Sequence, residues 1–152
     1  MNIRFATTAD KPRVLALMDE LGEEINRTRG FSPRNAEATK VGGTMFDEMV
    51  TRKDTMIFVA QDEEKLIGLI TFYLLPNLRH GFYSGHLQDI VVCKEYRRKG
   101  VGKALFDALK TWCKKHNVNV IKLDSGLELP DAHKFYESMG GKFTEKMFRF
   151  DL

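Results

Sequence analysis

The stretch HLQDIVVCKEYRRKGVGKAL, residues 86–105, decides the reading of this chain. It opens as a strand, HLQDIVV, apolar enough to be buried on much of both faces. It closes as the start of a helix. Between the two, Arg97, Arg98 and Lys99 crowd against Gly100 and Gly102. Like charges repel, and glycine weakens a helix by roughly 1 kcal/mol relative to alanine. An anionic ligand would justify both features. The first amides of a helix have no internal partner and the macrodipole makes that end positive. A helix start that follows a strand is therefore a ready anion site, and glycines let a phosphate approach with no Cβ in the way. The alternative is a tight strand-to-helix turn whose basic residues are merely solvated.

Two familiar phosphate loops do not fit. The P-loop requires G-x-x-x-x-G-K-[ST], but Gly102-Lys103 is followed by Ala104, and Arg97 stands where the first glycine belongs. The dinucleotide pattern G-x-G-x-x-G finds Gly100 and Gly102 but then Leu105. Asp124 lies 24 residues beyond Gly100, near where a ribose-binding acid would sit, yet only 28 residues follow it, too few for the rest of a doubly wound sheet.

Working outward, helical spacing recurs downstream in Val101, Ala104, Leu105, Ala108, Leu109, Trp112 and Cys113. Upstream, NIRFA reads as a strand. A helix follows, capped by Thr8 or Asp10, with Val14, Leu17, Met18, Leu21 and Ile25 on one stripe. A second helix falls within Pro33–Val50. TMIFVA and KLIGLITFYLL are strands, and Pro76–Gly85 is expected to be a loop carrying Arg79, His80, Phe82 and Tyr83. Past the central helix, VNVIKLD is a strand. Pro130 opens a short helix with Ala132, Phe135, Tyr136 and Met139 on its apolar face, ended by Gly140-Gly141. KFTEKMFRF is expected to close the chain as a strand. Hairpins mixed with crossovers imply an α/β fold with a mixed sheet.

Composition narrows the class. The 152 residues are 43% hydrophobic and 30% charged, which suits one globular domain. No apolar run reaches the ~18 residues of a membrane span, and MNIRFATTADK has no apolar signal core, so a cytoplasmic location and no membrane partner are expected. Cys93 and Cys113 have no metal-ligand or disulfide spacing. Net charge is +3, but residues 94–115 hold eight basic and two acidic residues, so +6 there is set against −3 elsewhere. Such a local field suits a small anion better than a nucleic acid, and no nucleic-acid partner is expected.

The spacing that does fit is R-x-x-G-x-G, Arg97 through Gly102, directly after a hydrophobic strand. It resembles motif A of the GNAT superfamily of acyl-CoA-dependent N-acetyltransferases, [QR]-x-x-G-x-[GA]. Residues 86–105 are similar to that family's fourth strand, pyrophosphate loop and helix, and DAHKFYESMGGKF resembles its motif B. The likeness runs over residues 57–143, and the first 56 fit the family's β-α-α opening in outline. The resemblance implies a single acetyltransferase domain over 1–152, with a mixed, mostly antiparallel sheet flanked by helices and splayed between the fourth and fifth strands. It implies acetyl-CoA as acyl donor and no metal. Backbone groups of Ile90, Val91 and Val92 would follow the pantetheine arm. The loop and helix start, Arg97, Arg98, Lys99, Gly100, Val101, Gly102 and Lys103, would hold the pyrophosphate. One departure is Leu129, where motif B commonly has asparagine.

Acetyl transfer requires a neutral amine, a stabilised oxyanion and a protonated leaving thiolate. Deprotonating an alkylammonium at pH 7 costs roughly 4–5 kcal/mol, and a base or water chain must carry that proton away. A backbone N–H near Ile90 is placed to meet the oxyanion. The resemblance makes Tyr136 the general acid, its phenol returning a proton to the thiolate. Many relatives have glutamate where Gln88 stands, so the base is open. His86 shares the face of Gln88 and Asp89 points the other way if the strand is regular; both are candidates, Glu24 is within conceivable reach, and a water relay is favoured. Cys93 is read as a buried residue, not a nucleophile, and His133 and Ser125 as minor contacts.

The acceptor implied is a primary amine, with a loose similarity to aminoalkylphosphonate N-acetyltransferases. The alternatives are a protein N-terminal or lysine acetyltransferase, or a non-catalytic acyl-CoA-binding module. A homodimer stays open.

Overall fold

Two nearly unbroken apolar runs, residues 55–60 and 66–75, demand cover on both faces, and that demand organises the molecule. The computed structural model describes residues 1–29, 36–148 and 150. Its elements are β1 (Asn2–Phe5), α1 (Lys11–Arg29), α2 (Ala36–Met49), β2 (Thr55–Asp62), β3 (Lys65–Asn77), β4 (Phe82–Val92), α3 (Val101–Lys115), β5 (Ile121–Lys122) and α4 (Pro130–Ser138). The strands lie in the order β1-β2-β3-β4-β5. All neighbours are antiparallel except β4 and β5, which are parallel and joined by the α3 crossover.

Alternation along β2 and β3 sends side chains to two cores. On one face, Val101, Leu105, Leu109 and Cys113 of α3 pack on Phe58, Ile70, Phe72 and Leu87. On the other, Val14 and Leu17 of α1 and Phe46 of α2 cover Ile57, Val59 and Leu69. The expected α3 stripe holds, with Phe106 also buried while Ala104 and Ala108 are only half-buried. Gly85 exists for packing: a Cβ there would fall 1.9 Å from Cζ of the fully buried Phe72.

Three sequence expectations change. The loop expected over Pro76–Gly85 shrinks to residues 78–81, because β3 runs to Asn77 and β4 starts at Phe82. β2 begins opposite Tyr73, so at Pro76 one side of β3 is an open edge that a missing N–H does not harm. The strand expected as VNVIKLD is only Ile121–Lys122. Asn117 adopts φ 57° and the Val118 amide bonds Cys113 O at 2.9 Å, so both belong to the end of α3. The closing strand KFTEKMFRF is absent among the described residues, with Arg149 outside them. Its apolar residues change face, Phe143 and Met147 on one and Phe148 and Phe150 on the other, so no single face can be buried. Of the second-helix span, residues 33–35 also lie outside the described residues.

Candidate active site

β4 and β5 pair only at Gly85↔Ile121 and His86↔Lys122. Beyond that point β4 continues to Val92 while β5 has ended, so the strands part and, among the described residues, the β4 edge from Leu87 to Val92 has no strand beside it. Ile90, Val91 and Val92 pair with Ile70, Leu69 and Gly68 on their other edge. Their backbone groups that face the gap are thus held rigidly yet unladdered.

The open edge leads into the glycine turn. A single 3₁₀ turn, Lys94–Tyr96, follows β4. Arg98 and Gly100 then take positive φ, 61° and 84°. Gly100 is the residue before α3, and its left-handed backbone is the reason for glycine there. Ala104 N–H makes the bond to Gly100 O at 2.9 Å, and helix geometry leaves the amides of Val101, Gly102 and Lys103 facing outward. A Cβ on Gly100 would meet nothing within 4 Å, and one on Gly102 would make only ordinary contact with Phe135 and Val92. There is room for a phosphate.

Not all the basic residues serve that end. Arg97 donates from Nε to Val92 O at 3.0 Å and grips Glu24 of α1 with both terminal nitrogens, at 3.0 and 2.5 Å. Its side chain ties the turn to α1, and the same pair engages Glu24, which was a conceivable base. Lys103 pairs with Asp107 at 2.5 Å. Arg98 and Lys99 stay exposed, with Lys99 Nζ 5.4 Å from the Tyr96 ring centre.

The strand is not regular, which changes the face assignments. Thr71 stands opposite Asp89 and Phe72 opposite Leu87, so Gln88 is the extra residue of a β-bulge. His86, opposite Tyr73, therefore shares a face with Asp89, opposite Thr71, and exposed Gln88 does not set the pattern. Thr71 Oγ1 donates to Asp89 Oδ2 at 2.6 Å. Burial pushes the Asp89 carboxyl up, while the Thr71 hydrogen bond and nearby His86 act against the shift. Burial and then the Asp89 charge push the Tyr136 phenol up from α4. Tyr73 is likewise raised by burial and by Asp89. His86, Tyr73 and Tyr136 thus share one electrostatic neighbour, Asp89. Sequence reasoning missed Thr71 and Tyr73, and weighed Asp124 only as a ribose-binding acid, whereas its Oδ2 lies 3.8 Å from His86 Nε2. Only the strand partners of Asp89 and His86 could have exposed Thr71 and Tyr73, and a single sequence does not state pairing.

Other candidates lie elsewhere or are occupied. Cys93 is buried, and its Sγ accepts from an Arg13 terminal nitrogen at 2.7 Å. A ring nitrogen of His133 bonds Gly126 O at 2.9 Å, fixing the loop before α4. Ser125 Oγ is buried without a partner. Arg79 and His80 sit in the turn of the β3–β4 hairpin, where His80 stacks on Phe82 at 5.5 Å. No group of three His, Cys, Asp or Glu side chains suited to a metal occurs among the described residues, nor a helix long and apolar enough to cross a membrane.

Comparison with known proteins agrees with this geometry. Over 100 residues the chain is 33% identical to the glucosamine 6-phosphate N-acetyltransferase of Trypanosoma brucei brucei, covering 64% of this chain and 65% of that one. Over 148 residues it is 25% identical to the aminoalkylphosphonate N-acetyltransferase of Salmonella typhimurium, covering 97% and 88%. The alignments span only 45% and 65% of the length of the curated relatives it matches first. A tetramutant of the BH1408 protein from Bacillus halodurans has the same fold, with TM-score 0.87, 27% identity and full coverage of both chains. Residues 18–141 match the acetyltransferase (GNAT) family, and the chain belongs to it.

Proposed function

We propose that this protein moves an acetyl group from acetyl-CoA to the primary amine of a small molecule, by direct transfer in a ternary complex. The observation that carries the reading is the unpaired edge of β4 running into the outward amides at the head of α3. The amides of Arg98 to Lys103 hold the pyrophosphate, with the exposed Arg98 and Lys99 charges beside it. Ile90, Val91 and Val92 offer backbone bonds to the pantetheine arm. Acetyl-CoA supplies the activated thioester. Asp89 accepts the ammonium proton, because its enclosed carboxyl is the more basic for being desolvated. Tyr136 returns a proton to the departing thiolate. Its raised phenol still lies above a thiol near 8.5, so it remains protonated until it is needed.

A small acceptor is supported by relatives named for glucosamine 6-phosphate and aminoalkylphosphonates. The competing reading is a non-catalytic acyl-CoA-binding module, favoured by Gln88 in place of a glutamate. Free-thiol release with a panel of primary amines separates them. Turnover on at least one amine supports the enzyme, whereas tight coenzyme binding with no turnover on any supports the module. Gly100→Asp should abolish coenzyme affinity in a folded protein, and undiminished binding by that variant would remove the anion site from the argument.

A further inference from the structure

The central strand breaks its own pattern at one residue. From Leu66 to Leu75, β3 is apolar except at Thr71, which is buried between Ile70 and Phe72. Valine has the same branched shape and would pack there with no hydroxyl to satisfy, and a buried hydroxyl is unfavourable unless it finds a partner. The other buried hydroxyls among the described residues turn to backbone. Thr55 donates to Met49 O at 2.7 Å and Ser84 to Leu75 O at 3.4 Å. Of these three, Thr71 alone donates to an ionisable side chain, Asp89 Oδ2, at 2.6 Å.

The bond is fixed from both sides. Thr71 pairs with Ile57 of β2 and with Asp89 of β4, so two ladders hold its backbone. Its β-branched side chain has little rotamer freedom. The bulge at Gln88 puts the Asp89 side chain on the same face. Among the described residues Oδ2 has this one donor and Oδ1 has none. The two oxygens of one carboxylate are thereby made unequal. The titratable groups that Asp89 meets are His86 on β4, Tyr73 on β3 and Tyr136 on α4, with none from α1 or α2 among the described residues.

We propose that Thr71 is a positioning residue for the transfer: its hydroxyl pins Oδ2 of Asp89, so that Oδ1 is the oxygen that receives the ammonium proton. The inference rests on Asp89 as the proton acceptor. The N–H bond of the ammonium breaks as the O–H bond forms at Oδ1, leaving a neutral amine and a neutral carboxyl whose Oδ2 still accepts from Thr71. A carboxylate free to turn would be aimed at the amine only part of the time. The Thr71 bond also favours the ionised form against the burial that opposes it. The base is thus kept both aimed and unprotonated.

Thr71→Val and Thr71→Ser test this in the full chain, with Asp89→Asn as the reference. One readout is the pH titration of the Asp89 carboxyl carbon by NMR, its signal identified by its loss in Asp89→Asn. The other is the pH profile of kcat/KM by thiol release, with the best amine of the panel. In Thr71→Val the titration midpoint and the acid limb of the profile should both move to higher pH. Turnover at pH 7 should fall about tenfold, with acetyl-CoA affinity unchanged. Thr71→Ser should restore both curves, which a purely packing role would not move in the first place. A midpoint that stays in place in Thr71→Val overturns the proposal, and leaves Asp89 as the base if Asp89→Asn is inactive. A midpoint that moves beneath an unmoved limb overturns the positioning role as well, and the activity of Asp89→Asn then decides whether the base falls with it.

Discussion

Asp10 and Asp89 sit in different parts of the sheet, the first beside the edge strand β1 and the second on β4, and they show what the fold asks of a carboxylate. Asp10 accepts four hydrogen bonds: from Arg4 at 2.7 and 2.8 Å, from the Thr7 amide at 2.7 Å and from the Thr7 hydroxyl at 3.0 Å. These donors, Arg4 first, hold its carboxyl down to about 2. Asp89 accepts one, from Thr71, and burial wins, so its carboxyl is pushed up. Enclosure alone does not set the direction in which a carboxyl is shifted. The number of donors decides it here, because each one stabilises the ionised form that desolvation opposes.

The largest test of that contrast is Asp89→Asn. The amide keeps the Thr71 bond and the shape of the bulge but accepts no proton. Amine acetylation measured by thiol release should fall about 100-fold, with thermal stability unchanged or slightly higher. Full activity in this variant would return the proton to a water chain. Asp10→Asn should do the reverse. It leaves Arg4 with a neutral partner and weakens two charge-assisted bonds, at a cost of about 2 kcal/mol in denaturant unfolding, while the turnover of the folded fraction stays within about twofold.

Acid should separate the two sites by sign. The folded-state value of Asp10, about 2, lies below its ordinary 3.8, so its contribution is complete above 3.8 and is lost as pH falls through 2. The stability gap between wild type and Asp10→Asn should therefore close across that window. Asp89 is raised, so its ionisation weakens the fold above its folded-state value, and that penalty disappears as pH falls through it towards 3.8. Asp89→Asn should exceed wild type in stability near neutrality and match it in acid. Unfolding midpoints taken at intervals of pH measure both, and parallel trends for the two variants would break the contrast.

Local signals in the chain were legible because they depend on near neighbours. The α3 stripe from Val101 to Cys113 repeats with the helical period, and the turn around Gly100 follows from spacing alone. The parting of β4 from β5 was read from the family pattern, and the two ladder pairs at Gly85 and His86 agree with it. What could not be read depends on distant residues. The face of Asp89 is set by a register shift against Thr71 on another strand. The grip of Arg97 depends on Glu24, 73 positions away. The fate of KFTEKMFRF turns on whether a neighbouring edge can bury a segment that is apolar on both faces. Pairing is a property of two segments, and one segment's composition does not contain it.

The smallest expected effect comes from a third carboxylate, and it locates the proton acceptor. Asp124 Oδ2 stands 3.8 Å from His86 Nε2, but half of its side chain is in solvent. Exposed pairs of this kind contribute about 0–1 kcal/mol, so Asp124→Asn should slow acetylation by no more than about fivefold and leave the melting temperature in place. The ratio of the two losses is what matters. If Asp124→Asn were to cost as much as Asp89→Asn, the proton would be leaving through His86 with Asp124 orienting it, and Asp89 would be an electrostatic neighbour. A loss confined to Asp89→Asn leaves the desolvated carboxylate at the bulge as the group that takes the proton, which its single hydrogen bond and its enclosure already favour.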